Sequence, residues 1–267
     1  MEKQRLDLLM VQKGLAPSRE KAKAFILSGQ VLADGKAANK AGETFPLNTE
    51  ITLKAEPCPY VSRGGLKLEK AMAEFSLSLE NKICMDIGAS AGGFTDCMLQ
   101  NGASMVYAVD VGYGQLDWKL RNDERVIVME RTNARYLTEK DIPLQPDFAS
   151  VDVSFISLRL IFPALARIGV KEVVTLIKPQ FEAGREKVGK RGVVRDACVH
   201  EEVIETVLKG AREYGYAAQH LSFSPIKGPN GNIEYLAHYL FGAEEQEMPT
   251  KAVVQSAHAL LSSRVQP

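Results

Sequence analysis

Near the amino terminus, apolar residues recur at helical spacing. Leu6, Leu9 and Met10 form one face, and Gly14 ends it. Ser18 stands where a second helix needs a cap, with Ala22, Phe25 and Ile26 on its apolar side and Gly29 as its stop. The period then shortens to that of strands: Val31-Leu32-Ala33, an Asp34-Gly35 turn, and later Ile51-Thr52-Leu53. Beyond residue 62, short apolar strands alternate with amphipathic helices. The pattern predicts strands over 83–87, 105–110, 126–129, 148–155, 172–177, 217–223 and 233–241. It predicts helices over 66–75, from Phe94 to a stop at Asn101-Gly102, over 117–121, 158–168 and 201–214, and a short amphipathic one with Ala252, Val253, Ala257 and Leu260. Strands alternating with helices imply an α/β fold, a doubly wound, Rossmann-like sheet that is mostly parallel. The last two strands have no helix between them and should form an antiparallel edge.

Length and composition divide this pattern in two. A chain of 267 residues, 45% of them hydrophobic, suffices for one sizeable α/β domain and a small α+β one. Glu56-Pro57-Cys58-Pro59 cannot continue a helix or sheet. The expected divisions are a module over 1–55, a linker over 56–61, a larger domain over 62–242 and a tail over 243–267. The four cysteines form no C-x-x-C pair and read as reduced thiols. The four histidines lack metal-ligand spacing, so no metal is expected. No signal segment or membrane-length apolar run is visible, and the expected location is the cytoplasm.

Net charge is zero, so any basic surface must be local. Residues 1–70 carry twelve Lys and Arg against eight Asp and Glu. Arg19 and Lys23, one turn apart on the polar side of the second helix, suit RNA phosphates or an ordinary solvated face. The segment 184–195 is glycine-rich and contains Arg185, Lys187, Lys190, Arg191 and Arg195 against Glu186. It suits a mobile lid on RNA or a solvated loop.

Candidate chemistry gathers at the carboxyl ends of the predicted strands. Ile83-Cys84-Met85-Asp86-Ile87 runs into the small-residue turn Gly88-Ala89-Ser90-Ala91-Gly92-Gly93, and the next strand ends at Asp110, where a carboxylate can accept both ribose hydroxyls of an adenosine. The turn departs from G-x-G-x-x-G, with Ser90 at the second glycine position and Gly93 displaced by one, which favours S-adenosylmethionine over NAD. Lys67 lies on the helix before the first strand of this domain. Asp152 and Lys178 lie at or near strand ends, and Glu234 follows Gly228-Pro229-Asn230-Gly231-Asn232. Two lysines and two carboxylates meeting there suit either structural salt bridges or methyl transfer to a hydroxyl, whose proton a neutral lysine can take.

Two resemblances sharpen these readings. Arg5-Leu6-Asp7, Ser18-Arg19-Glu20-Lys21-Ala22 and Ile26-Leu27-Ser28-Gly29-Gln30-Val31 resemble the S4 RNA-binding domain. Ser62-Arg63-Gly64-Gly65-Leu66-Lys67-Leu68, the stretch Asp86 to Asp96, Val109 to Leu116, Asp152 to Leu158, Lys178-Pro179-Gln180-Phe181-Glu182 and Gly228 to Tyr235 together resemble the TlyA family of bacterial rRNA 2′-O-methyltransferases, often labelled hemolysin A. Its catalytic domain is similar to the FtsJ fold, whose Lys-Asp-Lys-Glu tetrad would fall on Lys67, Asp152, Lys178 and Glu234. The resemblance implies S-adenosylmethionine held by Asp86, Gly88, Ser90, Gly92, Gly93, Phe94, Asp110, Gln115 and Asn133. It implies ribosomal RNA or subunits as partner, contacted by Arg5, Arg19, Lys21, Lys23, Arg63, Arg185, Lys187, Lys190 and Arg191. Some family members carry an Arg and a Trp just before the Val-Ser-Arg-Gly segment, where this chain has Cys58 and Tyr60. The alternatives are an inactive RNA-binding protein or a membrane-active hemolysin, although no lipid-facing helix or barrel pattern is visible.

Overall fold

The computed structural model describes residues 3–27, 29–53 and 58–262. Glu56 and Pro57 of the expected linker and residues 263–267 of the expected tail lie outside the described residues. The chain divides into two compact units, 1–59 and 60–267.

In the first unit, β1 (Lys3–Arg5) leads into α1 (Leu6–Gln12) and α2 (Arg19–Leu27). Then follow β2 (Val31–Ala33), β3 (Lys36–Ala37), β4 (Thr44–Pro46) and β5 (Ile51–Leu53). Ser18 does cap α2, its Oγ accepting from the Lys21 N–H at 3.2 Å. Strands β3, β2 and β5 form one antiparallel sheet. The β1–β4 pair had no signature, since Lys3-Gln4-Arg5 is wholly polar. Leu6, Leu9, Met10, Ala22, Ile26 and Val31 close a small core.

The second unit begins with α3 (Gly65–Phe75), β6 (Ile83–Ile87), α4 (Gly93–Gln100), β7 (Met105–Val109), α5 (Trp118–Arg121) and β8 (Val126–Met129). It continues through β9 (Phe148–Val151), α6 (Phe162–Ile168), β10 (Glu172–Ile177), α7 (Pro179–Glu182) and α8 (Ala197–Arg212). It closes with β11 (Tyr216–Phe223), β12 (Tyr235–Phe241) and α9 (Thr250–Ser262). The sheet order is β11-β12-β10-β9-β6-β7-β8. Only β12 runs against its neighbours, and it lies one place in from the edge strand β11.

Four predicted elements are corrected. Strand β9 stops at Val151, four residues early, because the chain turns: Phe155 adopts φ +64°. The helix expected over 158–168 is a 3₁₀ turn followed by α6, with a proline in the first turn of α6. Helix α8 starts before Glu201, because the Asp196 carboxylate accepts from the Cys198 N–H at 2.9 Å and caps it. Helix α9 buries Val254, Ala257 and Leu261, with Val253 partly buried against the same core, whereas Ala252 and Leu260 of the expected face are exposed.

Candidate active site

The sheet register brings the ionisable residues together. Ile87 pairs with Val151 across β6 and β9, and Ile177 with Tyr235 across β10 and β12. One step beyond these pairs stand Gly88, Asp152, Lys178 and Glu234. Gly88 is required here: at φ +91° a Cβ would sit 2.3 Å from the Asp152 carbonyl oxygen.

The four charged side chains form two ion pairs. Lys178 Nζ lies 2.5 Å from Asp152 Oδ1 and donates to Ser154 Oγ at 3.1 Å. Lys67 Nζ, on α3, donates to Glu234 Oε2 at 2.6 Å. Both lysines and Glu234 are buried, and Asp152 is partly so. Gln180 Nε2 donates to the other Glu234 oxygen at 3.5 Å, and Gly228 leaves room for it, since a Cβ there would lie 2.0 Å from Glu234 Oε1. Burying such pairs is tolerated only with the partners in place; removing one leaves an uncompensated buried charge.

Beside these pairs, a cavity of about 470 Å³ opens at the ends of β6, β7 and β9. Of the expected cofactor residues, Gly88, Ser90, Asp110, Gln115 and Asn133 line it, and so does Asp152. The Asp110 carboxylate accepts from the Ser90 and Gly112 N–H groups, each at 2.7 Å. Each oxygen keeps a lone pair for a ligand hydroxyl.

Asp86, Gly92, Gly93 and Phe94 do not line the cavity. Asp86 is fully buried beneath the turn, accepting from Thr95 N–H and Oγ1 and from Ser150 Oγ at 2.9, 2.7 and 3.1 Å. Burial raises its carboxyl to about 6. A Cβ at Gly92 would meet the Leu120 side chain and one at Gly93 the Ser62 Oγ, each at 2.2 Å. Phe94 is buried. These four build the turn; the glycine pattern did not separate residues that shape it from residues that face its ligand.

Ser154, Gln180, Phe155 and Phe181 lie inside the motifs that carry the resemblance, but the sequence reading assigned none of them a role in the site. Phe155 is 91% exposed, and its ring centroid stands 4.9 Å from that of Phe181, which lies 5.9 Å from Lys178 Nζ. The signal was an apolar residue ending a run that reads as strand. A depression of about 660 Å³ between α8 and residues 245–248 shares no residue with this site.

The expected RNA contacts are placed as follows. In the first unit, Arg5 Nε and Arg19 Nη2 each lie 3.0 Å from an oxygen of the fully buried Asp7 carboxylate. The hydrogen bond from Arg5, first, and then that from Arg19 hold Asp7 at about 2 against its burial. Both guanidiniums stay about half exposed. Lys21 sits over the Phe25 ring, and Lys23 is exposed. In the second unit, Arg63, Arg185, Lys187, Lys190 and Arg191 are exposed, and Lys187 pairs with Glu202. The segment 184–195 is two 3₁₀ turns closed by a Gly189–Val193 bridge. Its exit is anchored: Asn232 accepts from the Val194 N–H at 3.1 Å and donates to Gly192 O at 2.9 Å, while His200 Nε2 donates to Val194 O at 3.1 Å. Among the described residues, no cluster of metal-ligating side chains occurs, and no helix is long and apolar enough to cross a membrane.

Comparison with known proteins bears on both units. Residues 60–241 match the family described as FtsJ-like methyltransferase, and residues 4–51 match the S4 domain. The chain is 53% identical over 272 residues to the Bacillus subtilis protein named "Putative rRNA methyltransferase YqxC", covering 98% of this chain and 97% of that one. It is 40% identical over 261 residues to "16S/23S rRNA (cytidine-2'-O)-methyltransferase TlyA" of Mycobacterium tuberculosis, covering 97% of each. The solved structure described as "Putative hemolysin from Streptococcus thermophilus" superposes with a TM-score of 0.78 at 52% identity, covering 98% of each chain.

Proposed function

Because the chain belongs to the FtsJ-like methyltransferase family and joins that domain to an S4 domain, we propose that it transfers a methyl group from S-adenosylmethionine to the 2′-hydroxyl of a cytidine in ribosomal RNA, 16S, 23S or both. The observation that carries this reading is the double role of Asp152. It lines the cavity and pairs with Lys178, so the cofactor site and the ionisable set share a wall. The residues lining the cavity fit the cofactor: a rigid strand-end carboxylate at Asp110 for ribose hydroxyls, amides at Gln115 and Asn133, and apolar walls at Val109 and Ile156. When bound, S-adenosylmethionine supplies a methyl group on a sulfonium that leaves as a neutral thioether.

The protein's task is then to position and deprotonate the acceptor. Lys178 takes the hydroxyl proton at Nζ in its neutral form, aimed by Asp152 and Ser154. Lys67, fixed on Glu234, donates a hydrogen bond to the same ribose. The exposed Phe155 ring, backed by Phe181, offers a face for the nucleotide base. The S4 domain anchors the RNA through Arg5, Arg19, Lys21 and Lys23, and the enzyme works in the cytoplasm, where ribosomes are.

The test is nucleoside mass spectrometry of ribosomal subunits incubated with the protein and S-adenosylmethionine. New 2′-O-methylcytidine is expected. Tighter binding of NAD than of S-adenosylhomocysteine, or methylation confined to bases, would overturn the reading.

A further inference from the structure

Six large aromatic residues are exposed among the described residues: Tyr113, Trp118, Tyr136, Phe155, Tyr214 and Phe241. The first four stand in or next to loops that follow the carboxyl ends of β7, β8 and β9, around the cavity that Asp110 and Asn133 line. Exposed aromatic rings crowded at one end of a sheet are not what core packing leaves behind. Two of them carry a guanidinium. Arg131 lies over the Tyr113 ring at 4.1 Å, and Arg135 lies 5.6 Å from the Tyr136 ring centroid. Neither arginine has a carboxylate partner within ion-pair distance among the described residues.

The two pairs are built into the frame of the site. The Arg131 N–H donates to Gly112 O and the Thr132 N–H to Asp110 O, each at 2.9 Å, which ties the loop after β8 to the loop after β7. Arg131 accepts φ +53°, a left-handed conformation that costs a non-glycine residue about 1 kcal/mol or more. Between the two arginines, Thr132, Asn133 and Ala134 line the cavity, and Val111 lines it beside Tyr113. Tyr113 and Tyr136 remain 67% and 68% exposed, so each pair presents aromatic surface and positive charge to solvent at the rim.

We propose that the Tyr113–Arg131 and Tyr136–Arg135 pairs form a second RNA contact, which takes unpaired nucleotides flanking the target ribose. Single-stranded RNA is recognised by stacking on aromatic rings and guanidinium planes, with positive charge following the phosphates. A folded protein partner would need a contiguous apolar centre, which these separate, charge-capped rings do not supply. The proposal rests on the methyltransferase reading above and adds a specific surface to it.

The experiment uses the full chain and whichever ribosomal subunit wild type methylates in the test above. Two double variants, Tyr113→Ala with Arg131→Ala and Tyr136→Ala with Arg135→Ala, are compared with wild type for half-saturating subunit concentration, single-turnover rate at saturation and S-adenosylhomocysteine affinity. Each should raise the half-saturating concentration about tenfold, the scale of losing one stacked base. Saturated rate and cofactor affinity should stay within about twofold. Tyr113→Phe should behave as wild type, because the ring and not the hydroxyl stacks. An unchanged half-saturating concentration in both double variants overturns the proposal. A loss of S-adenosylhomocysteine affinity in the first would overturn it too, assigning Tyr113 to the cofactor. Failure of wild type to methylate ribosomal RNA would instead sink the function proposed above.

Discussion

At Lys178, charge and freedom to lose it pull in different directions. The ammonium is held by Asp152 Oδ1 and Ser154 Oγ, yet only the neutral amine can accept a hydroxyl proton. General-base catalysis typically contributes about 10²–10⁴-fold. Lys178→Ala should therefore lose about that much in single-turnover rate, with S-adenosylhomocysteine affinity nearly kept. Lys178→Arg should not restore the rate, because arginine stays protonated near neutral pH. An Arg variant turning over like wild type would leave Lys178 a role by charge or position alone. Asp110 makes the complementary case. Its two backbone hydrogen bonds fix its geometry in advance, so Asp110→Ala should weaken cofactor binding by about 1–3 kcal/mol in calorimetry. These residues were legible because strand ends in a doubly wound sheet face the ligand, and because their resemblance to a known tetrad named them. Ser154 and Phe155 were not, since a turn without period decides where their side chains go, nor was Gln180, since α7 is a single turn too short to show a period.

At the scale of elements, the segment before β12 and helix α8 together hold the basic segment. Asn232, two residues before Glu234, and His200, whose Nδ1 accepts from the Tyr235 hydroxyl at 2.7 Å, together take both backbone groups of Val194. Asn232→Ala would leave the Val194 N–H and Gly192 O without this partner. Trypsin should then cleave faster at Lys187, Lys190 and Arg191, and the methylation rate should fall with it; an unchanged cleavage pattern would mean that Asn232 does not restrain the segment. His200 gives this clasp a pH dependence. Burial, aided by the neighbouring His258, pushes its imidazole down to about 4, while Val194 O and Asp196 pull it up. The unfolded chain therefore binds this proton first, and the stability that His200 contributes is complete above about 6.5 and lost as pH falls towards about 4. Asp86, raised to about 6, acts with the opposite sign, so the readout is a difference. The melting temperature of His200→Gln should fall less steeply than that of wild type across this window. The long elements that build this frame follow from periodicity alone. The face of α9 does not, because Val253 and Val254 fit an apolar stripe equally well and only packing onto α8 and β11 sets Val254 deeper than Val253.

At the scale of the whole molecule, the two units bury apolar residues in clusters with separate membership, one closed by residues such as Leu6 and Ile26 and another running along the seven-stranded sheet. The smaller core, serving a module of about 50 residues, has little stability in reserve. It nevertheless devotes a buried carboxylate, Asp7, to holding two half-exposed arginines, which is a poor use of core volume unless those guanidiniums have a ligand. Ile26 is fully buried in this core. Ile26→Ala should cost about 2–5 kcal/mol, enough to unfold the module. If the module only anchors RNA, this variant should keep S-adenosylhomocysteine affinity and the melting transition of the larger unit while losing most methylation of ribosomal subunits. A milder change separates anchoring from folding. Replacing Arg19 and Lys23 by alanine should lower the first unit's transition without abolishing it, since Arg5 still pairs with Asp7, and should reduce the slope of log affinity for RNA against log salt by about two, one unit for each phosphate left without its cation. Full methylation by the Ile26→Ala protein, with its first unit shown to be unfolded, would assign RNA recognition wholly to the catalytic unit, to its basic segment and its aromatic rim.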